Sequence, residues 1–163
     1  MIVTADDMYQ ACKHHFTECK IAVFAAAVAD YRPEEISCSK IKKAGDELYI
    51  KLIKNRDIAY EFGKVKRPDQ LSIGFALETD NEILHAQEKL YNKFFDMVVL
   101  NSMNDKGPTF GCDTNKITIL RNDRETCKYP VKHKKDVAID ILNAIRSEYG
   151  LLNINKHLVI QHI

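Results

Sequence analysis

The stretch VFAAAVADYRPEEISCSKIKK, residues 23–43, decides the fold. Residues 21–29, IAVFAAAVA, are an uninterrupted apolar run that stops at Asp30 and Pro33. Alanine favours helix, so periodicity alone leaves helix and strand open. The run is short for a helix, however, and Pro33 biases Arg32 towards extended or turn geometry. Length and stop together predict a strand covered on both faces of a sheet. Ala25, Ala26 and Ala27 leave little side chain between the backbone and a flat ligand at the strand's carboxyl end. In open α/β sheets ligands settle beyond those ends, and Asp30 and Arg32 stand at the predicted rim. Lys40, Lys42 and Lys43 follow within a loop's reach. A core strand followed by a solvated basic turn would use the same residue types.

Upstream, residues 1–3 read as a short strand. Thr4 is then an N-cap with Asp7 three residues on, and Met8, Ala11, Cys12, Phe16 and Cys19 recur at helical spacing. With the run 21–29 this makes a βαβ unit. Downstream, residues 47–53, ELYIKLI, alternate as a β-ribbon with one apolar face, whose open edge suits self-association. Residues 55–63, NRDIAYEFG, read as a turn and short helix, with Asn55 as cap, Asp57 in the first turn and Gly63 as the stop. Residues 71–77 are the next buried strand. A helix to Phe95 follows, with Ile83, Leu84, Leu90 and Phe94 inward and Lys89 and Lys93 on one face. Residues 96–100 form a strand that stops at Asn101. Residues 104–115, with Gly107, Pro108, Gly111 and Asp113, are a turn-rich loop with scope to move. Residues 116–120 and 127–131 pair antiparallel around the turn at Asn122, Asp123 and Arg124. A helix over 136–149 then ends at Gly150, and an apolar tail, 151–163, completes the chain.

At 163 residues the chain suffices for one core, and its net charge of +1 argues against a general nucleic-acid coat. No run is long enough to cross a bilayer and no secretory pattern opens the chain, so a cytoplasmic, membrane-free protein is expected. The five cysteines are odd in number and lack a CxxC pair, which points away from a disulfide framework or zinc knuckle. His14, His15 and Cys19 are too few to make a metal site. The absence of GxGxxG disfavours a dinucleotide-dependent oxidoreductase.

The string Ala26-Ala27-Val28-Ala29-Asp30-Tyr31-Arg32-Pro33, followed by Lys40-Ile41-Lys42-Lys43, resembles the signature of phosphopantothenate-cysteine ligase of the bacterial CTP-dependent type. Further matches follow in the family's order: Lys54-Asn55-Arg56-Asp57-Ile58, Gly74-Phe75-Ala76-Leu77-Glu78-Thr79, Lys89 with Lys93, and Asn101. Separated motifs in the right order are more specific than any one of them. The resemblance covers residues 1–149 and implies an α/β fold, a partial Rossmann-like doubly wound sheet with a β-ribbon dimerisation arm at residues 44–53. It divides the chain into a nucleotide-binding ligase domain, 1–150, and a tail, 151–163.

For function, the resemblance implies joining of 4'-phosphopantothenate to L-cysteine through an acyl-cytidylate, in coenzyme A biosynthesis. Lys40 is the implied catalytic residue on the triphosphate. Phe24, Ala25 and Ala26 form the implied nucleotide floor, Asp30 binds nucleotide or Mg2+, and Arg56, Asp57, Ile58 and Ala59 read the base. Phe75, Lys89 and Lys93 complete the implied set. Arg56 stands where the family often has proline. The family's glycine-rich amino-terminal segment, with an arginine and an asparagine, has no counterpart in this sequence. A fragment or one partner of a split ligase is therefore expected, and no flavin. The rival expectation is a non-catalytic nucleotide-binding or dimeric assembly module.

Overall fold

The computed structural model describes the chain apart from residues 43–44, 103–112, 123–125 and 161–163, and describes backbone alone at 102 and 152–160. Helix α1, Ala5–Phe16, opens with the expected cap: Thr4 Oγ1 accepts from Asp7 N at 3.0 Å, and Asp7 Oδ2 accepts from Thr4 N at 2.9 Å. Residues 1–3 are not a strand. Met1, Ile2 and Val3 are exposed and have no ladder partner among the described residues, and an extended segment is a strand only when paired.

Strand β1, Ile21–Phe24, covers only the first half of the predicted run. It pairs parallel with β4, Leu71–Glu78, from Ile21↔Leu71 to Phe24↔Gly74. Residues 25–29 then leave the ladder. The predicted ribbon is likewise redistributed: β2, Tyr31–Pro33, pairs antiparallel with β3, Leu52–Lys54, while residues 47–51 carry no strand. Pro33, which lacks an N–H, is tolerated because this is a two-stranded sheet with open edges.

Helix α2, Ile58–Val65, is capped by Asp57, whose Oδ1 accepts from Tyr60 N at 3.0 Å, rather than by Asn55. Gly63 does not end it. A Cβ there would lie 2.2 Å from Lys93 O, so glycine permits backbone contact with the end of the next helix. That helix is α3, Glu82–Asn92. Of its predicted inward residues only Leu90 is buried, alongside Ala86, while Ile83, Leu84 and Phe94 are exposed. Phe94 sits past the helix end at φ 56°, a left-handed turn that directs it outward.

Strand β5, Met97–Ser102, continues the parallel sheet beside β4. Short β6, Thr114–Asn115, pairs with β9, Lys132–His133. Strand β7, Ile117–Arg121, runs antiparallel to β5 and to β8, Cys127–Lys128. The main sheet thus has the order β1-β4-β5-β7-β8. Most of the expected loop at 104–115, and Asp123 and Arg124 of the expected turn, lie outside the described residues. Helix α4 runs from Lys134 through Gly150 to Ile160, where the sequence predicted a stop at Gly150. With nothing within 4 Å of its position, Gly150 is a tolerated helix glycine of low propensity.

Helices cover both faces of the sheet, as a doubly wound α/β fold requires. On one face Leu71, Ile73, Met97, Val99, Ile117 and Ile119 pack against Val137, Ala144 and Ile145 of α4. On the other, Ala76, Val98, Leu100 and Leu120 pack against Ala86, Leu90 and Phe95, and a neighbouring cluster joins Phe16 of α1 to Ile58 and Phe62 of α2. Each large side chain so buried contributes about 1.5–3 kcal/mol relative to exposure. Buried Gln70 fastens α1 to the sheet by donating at 2.6 Å to Phe16 O, a last-turn carbonyl without an intrahelical partner, and at 2.9 Å to Cys19 O just beyond the helix.

At the amino ends of β4 and β5, Lys66 Nζ donates to Phe94 O at 2.8 Å, Asp96 Oδ2 at 2.6 Å and Ser72 Oγ at 3.0 Å. Asp96 Oδ2 also accepts from Ser72 N at 2.6 Å. These contacts set the relative height of the two strands. No helix among the described residues is long and apolar enough to cross a membrane.

Candidate functional site

Where residues 25–29 leave β1, the chain opens a cavity of about 430 Å³ beyond the carboxyl ends of the parallel strands. Phe24, Ala25 and Ala26 form one wall, continued by Val28, Ala29 and Asp30. The start of α2 faces them with Arg56, Asp57, Ile58 and Ala59, β4 contributes Phe75, and α3 contributes Lys89 and the adjoining Lys93. Every residue expected at the nucleotide is therefore gathered here except Lys40. Lys40 is exposed in the segment between β2 and β3 and does not line the cavity. Lys42 is exposed as well, and Lys43 lies outside the described residues.

Asn55 holds the wall in shape. Its Nδ2 donates to Ala29 O at 2.8 Å, its backbone N donates to Asp30 O at 2.7 Å, and its Oδ1 accepts from Arg32 Nη1 at 3.0 Å. Arg32 consequently braces β2 against β3, also donating to Lys54 O at 3.3 Å. Two glycines set the depth. Gly74 has no room for a Cβ, which would fall 2.2 Å from the Phe95 ring, so that ring lies flat on β4 as part of the cavity lining. Gly63 brings α2 against the end of α3 and with it Asp57 towards Lys93, Oδ2 to Nζ 3.2 Å.

Electrostatically the lining is cationic, with Lys54, Arg56, Lys89 and Lys93 against Asp30 and Asp57. Such an excess inside a concave, partly apolar wall concentrates an anion. The Arg56 guanidinium lies 4.1 Å over the Tyr9 ring, which stacks on Phe62 at 5.4 Å, so a flexible side chain is held in place from α1. Lys89 Nζ lies 2.6 Å from Glu78 Oε1 at the end of β4, and His85 Nδ1 lies 3.5 Å from Glu78 Oε2. Burial pushes the thiol of Cys12 up, so this lining residue stays a neutral thiol at neutral pH. Asp30 lines the cavity, and among the described residues no group of three His, Cys, Asp or Glu side chains converges on a metal position.

The sequence reading missed Lys54, Asn55 and Phe95 in the lining, and Met8 and Cys12 from α1. Asn55 belongs to the quoted Lys54-Asn55-Arg56-Asp57-Ile58 motif, which carried a signal. Met8 and Cys12 carried none, because a helix stripe that packs and a helix stripe that lines a cavity have the same period.

The chain is 47% identical over 142 residues to a cysteine/cysteine sulfinic acid decarboxylase of an unknown prokaryotic organism, covering 87% of this chain and 40% of that protein. It is 37% identical over 148 residues to the coenzyme A biosynthesis bifunctional protein CoaBC of Haemophilus influenzae, covering 91% of this chain and 36% of that protein. It thus spans well under half the length of these curated relatives. Among solved structures, the C-terminal domain of a CoaBC bifunctional protein superposes with TM-score 0.72 at 33% identity, covering 93% of this chain and 65% of that one. A Streptococcus pneumoniae DNA/pantothenate metabolism flavoprotein shares the fold at TM-score 0.69 and 16% identity, covering 90% of this chain and 71% of that one. A family match spans residues 1–149, in agreement with the motifs, and the chain belongs to the DNA/pantothenate metabolism flavoprotein C-terminal domain family.

Proposed function

We propose that this chain carries the nucleotide site of a CTP-dependent phosphopantothenate-cysteine ligase of coenzyme A biosynthesis. The observation that carries the reading is the gathering of Phe24, Ala25, Ala26, Asp30, Arg56, Asp57, Ile58, Ala59, Phe75, Lys89 and Lys93 around one cavity at the sheet's carboxyl edge. Amide formation needs a carboxylate oxygen turned into a leaving group. The phosphopantothenate carboxylate attacks the α-phosphorus of CTP and pyrophosphate leaves. The cysteine amine then attacks the acyl carbon, loses a proton, and expels CMP.

Negative charge develops on phosphate oxygens in the first step. Lys89 and Lys93 are placed to stabilise it without reorganising water, and the first turn of α2 presents backbone groups to the base. Lys40 reaches the triphosphate in this reading by closure of the exposed segment between β2 and β3. Of the two lining carboxylates, Asp57 caps α2 and pairs with Lys93, so Asp30 is the residue that would hold a magnesium ion taking its other ligands from phosphates and water. The ion would supply charge neutralisation on the phosphate oxygens. Leu48, Tyr49, Ile50 and Leu52 are exposed, and their association would form a homodimer through the arm at residues 44–53. Ala44, expected in that arm, lies outside the described residues.

One observation favours a second reading, in which turnover needs a further polypeptide. Among the described residues β1 is the last strand on its side of the sheet, with Ile21 37% and Val23 49% exposed, whereas parallel sheets are usually covered on both faces. An assay of amide formation from phosphopantothenate, cysteine and CTP separates the two: turnover by this chain alone rejects the split-ligase reading. Calorimetry with CTP, ATP and UTP tests the nucleotide site itself. Selective CTP binding, weakened about tenfold in Lys89→Ala and also reduced in Lys40→Ala, is expected. Indifference to every nucleotide would leave an assembly module.

A further inference from the structure

We infer that Glu78, which lines no part of the cavity, is a positioning residue that holds the Lys89 ammonium at the cavity's edge for the phosphates; the inference rests on the nucleotide reading above. Glu78 is the last residue of β4, and its side chain is 15% exposed. Its polar contacts among the described residues come from one face of α3: Lys89 Nζ at 2.6 Å from Oε1 and His85 Nδ1 at 3.5 Å from Oε2. Oε1 is buried, and the Lys89 contact is close but off the axis of a hydrogen bond, so charge attraction rather than a directed bond holds it.

A carboxylate withdrawn from water is costly without a cation beside it, and the strand backbone keeps Glu78 where it is. The burden of pairing therefore falls on the mobile partner, the four-carbon stem of Lys89, which otherwise samples many rotamers. An ammonium has three protons. One side turned to Glu78 leaves the rest facing the cavity that Lys89 lines.

Lys93, one turn on, is arranged in the same way. Its Nζ lies 3.2 Å from Asp57 Oδ2, and Asp57 is itself immobilised as the cap of α2. Two ammonium groups on one helix face are thus each tethered to a carboxylate from a different element, one strand and one helix. A tether of this kind lowers the ordering cost when a polyphosphate arrives.

The sign of one substitution separates positioning from plain charge. Were Glu78 only a negative charge near an anion site, Glu78→Gln would tighten binding of inorganic tripolyphosphate and of CTP. Positioning predicts the reverse: weakening of both by about three- to tenfold, partial rescue in Glu78→Asp, and no further loss when Glu78→Gln is added to Lys89→Ala. Calorimetry on these four variants and the wild-type chain, each with a thermal melt to establish its folded fraction, reads all three. Wild-type or tighter binding by Glu78→Gln overturns the inference, as does an undiminished loss in the Lys89→Ala background. If Glu78→Gln does not fold, Glu78→Asp decides: binding equal to wild type rejects the tether. A wild-type chain that binds neither probe overturns the nucleotide reading and this inference with it, whereas wild-type binding with unaffected Glu78 variants overturns this inference alone.

Discussion

The two ends of the central strands use the same side chains for opposite purposes. At the amino ends of β4 and β5, Lys66 directs its ammonium at Ser72, Phe94 O and Asp96, which matches its three protons, and its side chain is 15% exposed. At the carboxyl ends, Lys89 and Lys93 each contact one carboxylate and turn towards a cavity, with 37% and 31% of their side chains exposed. A saturated ammonium fixes strands; a half-satisfied one is available to a ligand. The residue type predicts neither role, and the number of fixed acceptors around it distinguishes them.

Breaking the saturated end should have the largest effect on stability. Lys66→Met strands Asp96 beside a half-buried strand start and is expected to cost about 3 kcal/mol in urea unfolding, with CTP affinity of the folded protein unchanged. The matching change at the open end, Lys89→Ala, removes one contact rather than three and should cost less, about 1–2 kcal/mol for the partly buried Glu78 it leaves behind, while affecting binding. Equal destabilisation by the two would break the comparison.

Gly63→Ala sharpens it, because this substitution should disturb both properties. The added methyl meets Lys93 O, so α2 must move from α3; a loss of about 2 kcal/mol in thermal unfolding is expected, together with a severalfold loss of CTP affinity as Asp57 and Lys93 separate.

The smallest effect belongs to a partly exposed charge just ahead of β4 that contacts neither Lys66 nor the cavity. The hydrogen bond from Lys20, with help from Arg67, holds the Asp69 carboxyl down to about 2. A depressed carboxylate stabilises the fold above its ordinary value and loses that contribution as pH falls towards 2. Wild type should therefore exceed Asp69→Asn slightly in acid-unfolding curves above pH 4, and the two curves should converge as pH falls to about 2.

The elements legible in the sequence were those whose period and boundaries agree. The capping box at Thr4 and the strands expected at 71–77 and 96–100, which run at Leu71–Glu78 and Met97–Ser102, follow from local pattern, whereas the residues now seen around one cavity came from the family resemblance. Boundaries set by a distant partner were not legible. The apolar run at 21–29 breaks at Phe24 because its ladder with β4 ends at Gly74, and β2 exists only because Leu52–Lys54 returns to pair with it. Gly63 looked like a stop and is a point of contact, since sequence does not say what a glycine faces. Lys40 was grouped with the cavity by motif alone, and the fold keeps it on an exposed arm. Glu78 passed unremarked within a matched motif because its importance arises from two residues of the following helix.

The contact at Gly63 has a mechanical corollary. With the main chain of α2 resting on the main chain at the end of α3, the gap between Asp57 and the lysines of the α3 region is governed by peptide geometry, which side-chain replacement hardly alters. On the nucleotide reading proposed above, substitutions along the lining would retune which base is preferred while the length of molecule accommodated stays constant.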